Sequence, residues 1–256
     1  MSEPKIAAII PARMGSSRYP GKPLIKIEGL PMIEHVRRRT LLCLGFSCVA
    51  VATCDSDIRI AVEKYGGDVI MTSDKHIMAS DRVAEAIKDI DCTHIINVQG
   101  DEILVLPEDL SEMIKAINYA PTNLYWNATA PIDNSEELSN LSIVKCAISS
   151  QEKVLYCARD FSTLNFLENY KPIRKILGVL AYSRAGLLKF SELPRTPLEI
   201  SQSIDQSRII ENDFELFSVP FSSGSPGINE PREEKIVREI LKSNPKQKSI
   251  LKEILN

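Results

Sequence analysis

Residues 6–24 read IAAIIPARMGSSRYPGKPL. The apolar run 6–10 reads as a buried strand that stops at Pro11. A polar, glycine-containing loop follows, with Arg13, Arg18 and Lys22 spaced along it. A buried strand that ends in a small-residue, basic loop is how α/β proteins present phosphate-binding groups. Backbone N–H groups of such a loop can face an anion while the cations neutralise it. The loop carries neither G-x-x-x-x-G-K-[ST] nor G-x-G-x-x-G. An ordinary strand and loop with solvated Arg and Lys would show the same spacing.

Working outward, residues 31–43 read as a helix whose arginine run, Arg37, Arg38 and Arg39, is expected to be a solvated face. A strand over 48–53, a helix over 58–64 and a strand over 68–72 follow. Strand and helix alternating at this spacing indicate parallel βαβ units. A helix is expected over 81–89 and a strand over 94–98, which runs into Gln99, Gly100, Asp101 and Glu102. Two acids directly after an apolar strand lie at its carboxyl end, where open α/β sheets place their sites. Another helix spans 107–119.

From residue 127 the alternation stops. Strands are expected over 128–132, 143–148, 154–158 and 177–183, a short helix over 185–190, and irregular chain over 161–172. Residues 127–191 therefore read as a smaller lobe inserted in one α/β domain spanning 1–256. A helix over 201–212, a strand over 217–220 and a helical tail over 230–254, broken at Pro245, complete the chain.

The formal net charge of −3 argues against a general nucleic-acid or anionic-membrane surface, so any anion site must be local. No apolar run approaches the roughly 20 residues of a membrane helix. The N-terminus passes straight into a strand, so no signal peptide is expected. The six cysteines form no C-x-x-C and mostly sit in apolar contexts, as expected for free thiols in a reducing cytoplasm. His35, His76 and His94 share no ligand spacing, which disfavours structural zinc.

Three segments are specific together: IIPARMGSSRYPGKPL with PMIEHV, then NVQGDE, then TPLEISQSIDQSRIIEND followed by GINEPREEKIV. In these, the chain resembles the 3-deoxy-manno-octulosonate (KDO) cytidylyltransferases over residues 6–241. The resemblance implies a Rossmann-like nucleotidyltransferase fold, a mostly parallel sheet flanked by helices, with a smaller lobe used for homodimerisation. It implies transfer of CMP from CTP to a sugar acid with release of pyrophosphate, dependent on Mg²⁺. Carried over position by position, it implies catalytic roles for Arg13, Lys22 and Asp101. Nucleotide contacts fall to Pro11, Ala12, Arg13, Lys22, Ser80, Arg82 and Gln99. Sugar contacts fall to Gln99, Arg159, Tyr182 and Gln206, and metal ligation to Asp101 and Asn229. Arg18 is expected either on phosphate with Arg13 and Lys22 or at the rim, and Glu102 in a supporting role. The chemistry agrees, because nucleotidyl transfer needs positioning and charge neutralisation around the α-phosphorus more than covalent help.

The chain also departs from that pattern. The family's H-x-S-G-T-E-R is here His76-Ile77-Met78-Ala79-Ser80-Asp81-Arg82, so the reading of the base is less tightly specified than phosphate binding. In the segment resembling K-H-x-G-I-Y-x-Y, Ile176 replaces His and Leu180 replaces Tyr. Asn229 stands at an Asp position. The acceptor is accordingly expected to be KDO-like, with another amino- or deoxy-sugar acid, or a nucleotide-binding protein without catalysis, as the competing readings. A homodimer interface is expected within 127–191, around Phe161, Phe166 and Tyr170.

Overall fold

A computed structural model describes residues 3–15, 18–164, 172–222 and 224–256. Strand β1 (Ile6–Ala12) is buried at every position and runs through Pro11, two residues past the expected stop. A hairpin of two short strands, β2 (Lys26–Ile27) and β3 (Leu30–Pro31), leads into α1 (Met32–Leu41). Then come β4 (Phe46–Thr53), α2 (Ser56–Lys64), β5 (Asp68–Met71), α3 (Ala79–Ala86), β6 (His94–Val98) and α4 (Pro107–Tyr119). The next part comprises β7 (Tyr125–Pro131), α5 (Glu136–Ser139), β8 (Lys145–Ile148), β9 (Val154–Ala158), β10 (Ile173–Ser183) and α6 (Arg184–Glu192). The chain closes with α7 (Pro197–Gln202), α8 (Gln206–Glu211), β11 (Leu216–Pro220), α9 (Pro231–Ser243) and α10 (Pro245–Leu255).

One nine-stranded sheet runs in the order β11-β7-β10-β6-β1-β4-β5, with β8 and β9 branching from β10. β1 pairs in parallel with β4 and β6, and β4 with β5. β10 runs antiparallel to both its neighbours, so the sheet is mixed. Residues 127–191 divide between the two parts: β7 and β10 lie in the main order, while β8, β9 and α5 lie off it.

Alternation along β1 builds two apolar layers. Ile6, Ala8 and Ile10 face α1, α2 and α4 through Ile33, Val36, Ile58, Val62, Leu110 and Met113. Ala7 and Ile9 face α3 and α6 through Val83, Ile87, Leu187 and Phe190. Helices on both faces bury the central parallel strands β1 and β6 at every position, which is why those strands read as continuous apolar runs.

Two expectations change. The arginine run of α1 is not a solvated face: Arg37 and Arg39 are buried, and Arg37 forms a two-pronged ion pair with buried Glu34. The single helix expected over 201–212 is two short helices, because Ser203 takes a left-handed conformation (φ 52°) that ends α7. The break at Pro245 falls where expected, with Pro245 in the first turn of α10 and Asn244 capping it. Among the described residues, no helix is long and apolar enough to cross a membrane.

Candidate active site

Two clefts, of about 540 and 640 Å³, open beside the carboxyl ends of β1 and β6. Arg18, Gln99, Asp101 and Asp205 line both. Asp101 is brought there because β6 ends at Val98 and the chain turns at once, with Glu102 N–H donating to Gln99 O (3.0 Å) and Ile103 N–H to Asp101 O (2.8 Å). The turn lies close beneath β1: a Cβ on Gly100 would sit 2.9 Å from Pro11 O, so only glycine fits this approach.

The smaller cleft is lined by Pro11, Ala12, Arg13, Lys22, His76, Arg82, Gln99 and Asp101. Its basic loop is anchored from the end of β4, where Asp55 accepts a hydrogen bond from Met14 N–H (2.8 Å). Lys22 Nζ lies 2.8 Å from Asp101 Oδ2, and both side chains are mostly buried, at 13% and 19% exposure. Arg13 is exposed and has no partner among the described residues. Arg82 is buried and donates to Thr72 Oγ1 and to Ser73 O (3.3 Å). His76 meets Glu85, whose carboxyl is held below its ordinary value by the Ser73 N–H and by His76 itself.

The larger cleft is lined by Arg18, Gln99, Asp101, Arg159, Ile176, Leu180, Asp205, Gln206 and Asn229. Arg159 donates to the carbonyls of Gln202 (2.8 Å), Leu141 (2.9 Å) and Ser203 (3.3 Å). Burial and the nearby charge of Arg18 lower its pKa, so these two guanidiniums share one positive wall of the cleft. Gln206 is fixed through Asn127 Oδ1 at 2.7 Å. The bulge of β10 between Ile176 and Leu180 projects Gly178 against the acidic turn. Gln99 N–H donates to Gly178 O, and Gly178 N–H donates to Glu102 Oε1, each at 2.8 Å. A Cβ on Gly178 would stand 2.6 Å from that carboxylate. Burial, and after it the charge of Asp101, push Glu102 up to about 7.

Two expected contacts face the core instead. Tyr182 is 1% exposed, ringed by Tyr125 and Phe190, and lines neither cleft. It shares the face of β10 that carries Leu180 but lies two residues further along, past the end of the cleft, so its hydroxyl meets Ser80 at 3.2 Å. Ser80 is itself buried on α3 and also lines neither cleft. It reaches the site only through Asp205, to which it donates at 3.5 Å. Asp205, unassigned from sequence, lies where the clefts meet, and burial lifts its carboxyl to about 6. Its signal was position: it directly precedes Gln206 in the segment that carried the resemblance.

Asn229 is held against the same turn, since Ile228 N–H donates to Asp101 O (3.3 Å). Arg18 Nη2 donates to Asn229 Oδ1 at 3.2 Å. Asp101 and Asn229 offer hard oxygens carrying one formal charge, a donor set that suits a divalent cation completing its shell with phosphate and water. No group of three or more His, Cys, Asp or Glu that could hold a metal unaided exists among the described residues.

The pattern that matches the cytidylyltransferase family covers residues 7–216, the span that includes both arms of this site up to β11. The 3-deoxy-manno-octulosonate cytidylyltransferase of Escherichia coli is 33% identical over 229 residues, covering 89% of this chain and 92% of that protein. The 8-amino-3,8-dideoxy-manno-octulosonate cytidylyltransferase of Shewanella sediminis (strain HAW-EB3) is 34% identical over 233 residues, covering 89% and 95%. Among solved structures, CMP:2-keto-3-deoxy-manno-octonic acid synthetase complexed with CTP superimposes with a TM-score of 0.86 at 32% identity, over 93% of this chain and 98% of that one. A basic loop after β1 facing an acidic turn after β6, on a frame shared with these proteins along nearly its whole length, places the chain in the cytidylyltransferase family.

Proposed function

We propose that this nucleotidyltransferase transfers CMP from CTP to a KDO-like 3-deoxy-ulosonic acid, releasing pyrophosphate in a Mg²⁺-dependent reaction. The observation that carries the reading is Asp101 at the junction of two clefts, with Lys22 on its carboxylate. CTP takes the smaller cleft, with its phosphates over the loop of Pro11, Ala12, Arg13 and Lys22 and its base toward His76 and Arg82. The acceptor takes the larger cleft, its carboxylate toward Arg18 and Arg159 and its hydroxyls toward Gln99 and Gln206. The α-phosphorus then lies near Asp101, and an acceptor hydroxyl forms the new P–O bond as the bond to pyrophosphate breaks. Arg13 and Lys22 stabilise the charge that develops on the phosphates. Asp101 and Asn229 would hold Mg²⁺, which supplies charge neutralisation and lowers the pKa of the attacking hydroxyl when bound.

A second reading of the acceptor, an amino- or deoxy-sugar acid, is supported by the aliphatic Ile176 and Leu180 in the larger cleft. The relatives compared above act on both an octulosonate and its 8-amino derivative by name. Free cysteines throughout fit a reducing cytoplasm. We place the homodimer contact on the branch of β8 and β9. Phe161 does not contribute an exposed ring, being 5% exposed, and Phe166 and Tyr170 lie outside the described residues.

Pyrophosphate release from each nucleoside triphosphate, against a panel of sugar acids with and without Mg²⁺, tests the reading. Release with CTP, a 3-deoxy-ulosonic acid and Mg²⁺ is expected. CTP binding without turnover of any acceptor would leave only the nucleotide-binding protein.

A further inference from the structure

The arginine run of α1 holds α10 against the body of the protein. Arg38 donates to Ile254 O near the end of α10, and Arg39 donates to Gln247 Oε1 (2.7 Å) in its first turn. Arg39 is fully buried and has no carboxylate partner among the described residues. Its other bond goes from Nη1 to Val105 O (3.3 Å), while Nε and Nη2 have no partner among the described residues. Gln247 is 3% exposed and donates through Nε2 to Leu104 O (2.7 Å).

Burying a guanidinium without a counter-ion is unfavourable. Two apolar side chains would fill the same space without that penalty, but could not grip a backbone carbonyl. The pair grips two consecutive carbonyls, Leu104 and Val105, in the segment directly following Asp101. That segment is internally stiff, because Ile103 N–H is bonded to Asp101 O and Val105 N–H to Glu102 O. Ile103 and Leu104 also pack with Ile228 of the opposing wall and with Val237 and Leu241 of α9. The grip on Leu104 and Val105 is thus connected to Asp101 through the backbone bonds of the turn, and to Asn229 through Ile228.

We propose that Gln247, oriented by Arg39, is a positioning residue that sets Asp101 against Asn229 from the side of the turn opposite the substrates. The inference rests on the active-site reading above, and makes α10 part of the catalytic apparatus although it touches neither cleft.

Gln247→Glu separates positioning from mere stability. The carboxylate gives Arg39 an ionic partner, so the melting temperature is held or raised, but it cannot donate to Leu104 O. The expected result is a kcat about 10- to 100-fold lower, with the Mg²⁺ concentration for half-maximal rate raised about tenfold and KM for CTP within about twofold. Gln247→Leu, which fills the space with neither bond, is expected to shift kcat and Mg²⁺ requirement the same way, and carries the test should the Glu variant fail to fold. Wild-type kcat and Mg²⁺ dependence in the folded variants overturns the proposal, as does a loss of rate that simply follows loss of melting temperature. Asp101→Asn is measured alongside. If it is inactive while the Gln247 variants are normal, only the positioning role fails; if it is fully active, the active-site reading itself fails.

Discussion

Lys22 Nζ sits 2.8 Å from Asp101 Oδ2, so the basic loop after β1 and the acidic turn after β6 close on each other through one ion pair. This lysine belongs to the basic loop and has a carboxylate in front of it, and on the proposed reading an arriving triphosphate gives it a second anion. Lys22→Ala is therefore expected to keep the fold and lose roughly 10²–10³ in kcat, the usual effect of removing a group aimed at developing charge. Pyrophosphate release at saturating CTP and acceptor is the measurement. Turnover near wild type would make Lys22 a partner of Asp101 and nothing more.

Asp205 gives a pH signature. Burial, followed by the charge of Glu199, raises its carboxyl from 3.8 to about 6, outweighing the opposite pulls of Arg208 and Ser80. Between those values the folded state binds the proton more tightly than the unfolded chain, so this group's contribution to stability falls as pH rises through the window. Asp205→Asn removes that loss. Relative to wild type it should gain stability from pH 4 to 6 and hold a constant advantage above, on the order of 1–3 kcal/mol. Urea unfolding at pH 4, 5, 6 and 8 reads the difference, and a gap that does not widen with pH contradicts the assignment.

What could be read from the sequence follows from what the pattern encodes. β6 (His94–Val98) and α4 (Pro107–Tyr119) lie at the expected bounds, because a short apolar run ended by a turn and a proline-started amphipathic stretch each admit one reading. β10 was half seen. Its bulge at Leu177 and Gly178 interrupts the alternation, so an eleven-residue strand looked like a shorter one starting at Leu177. Arg37 and Arg39 read as solvated because charge alone does not reveal that Arg37 will be buried with Glu34 against Tyr65 or that α10 will cover Arg39. Resemblance gave Asp101, Arg159 and Gln206 positions on the clefts, but it could not say how far along β10 the cleft extends, and Tyr182, two residues past Leu180 on the same face, lies in the core.

The outer edge of β9 should carry the dimer contact. β9 pairs with β8 in the sheet and is bridged to β11 only at its start, through Lys153 and Phe217, while Leu155 and Tyr156 on it are 57% and 46% exposed. Exposed apolar side chains on a strand whose second edge is paired only at its start favour contact with another chain. Light scattering at micromolar concentration is expected to give twice the chain mass, and Leu155→Lys to shift the protein toward monomer. A monomeric wild type removes the interface.

The larger cleft should discriminate by hydrogen bonding. Ile176 lines it half-buried beside Val144, with its own N–H bonded to Val144 O, and offers the acceptor no polar atom from its side chain. A hydroxyl buried against it goes unpaired, at about 1–3 kcal/mol. Ile176→His, alone or with Leu180→Tyr, is therefore expected to raise kcat/KM for KDO relative to the native acceptor by about tenfold or more. If the wild type already uses KDO as a specific substrate, the aliphatic wall does not set the preference.

Asn229 shows how the site balances charge. Arg18 donates to its Oδ1 at 3.2 Å, as Lys22 does to Asp101, so each candidate metal ligand meets a cation of the same loop. An amide oxygen can still ligate Mg²⁺ but brings no negative charge. The protein then contributes one formal charge, and the triphosphate and the acceptor's carboxylate must supply the rest. Asn229→Asp restores a second charge, although Arg18 competes for it. The Mg²⁺ concentration giving half-maximal rate is expected to fall several-fold, about the change of one ligand charge, while Asp101→Asn nearly abolishes turnover. Pairing Asn229→Asp with Arg18→Ala should lower the Mg²⁺ requirement further, because the new carboxylate is then free for the metal. An unchanged requirement in both variants makes Asn229 a turn residue ahead of Pro231 rather than a ligand, and full activity in Asp101→Asn removes the metal site altogether.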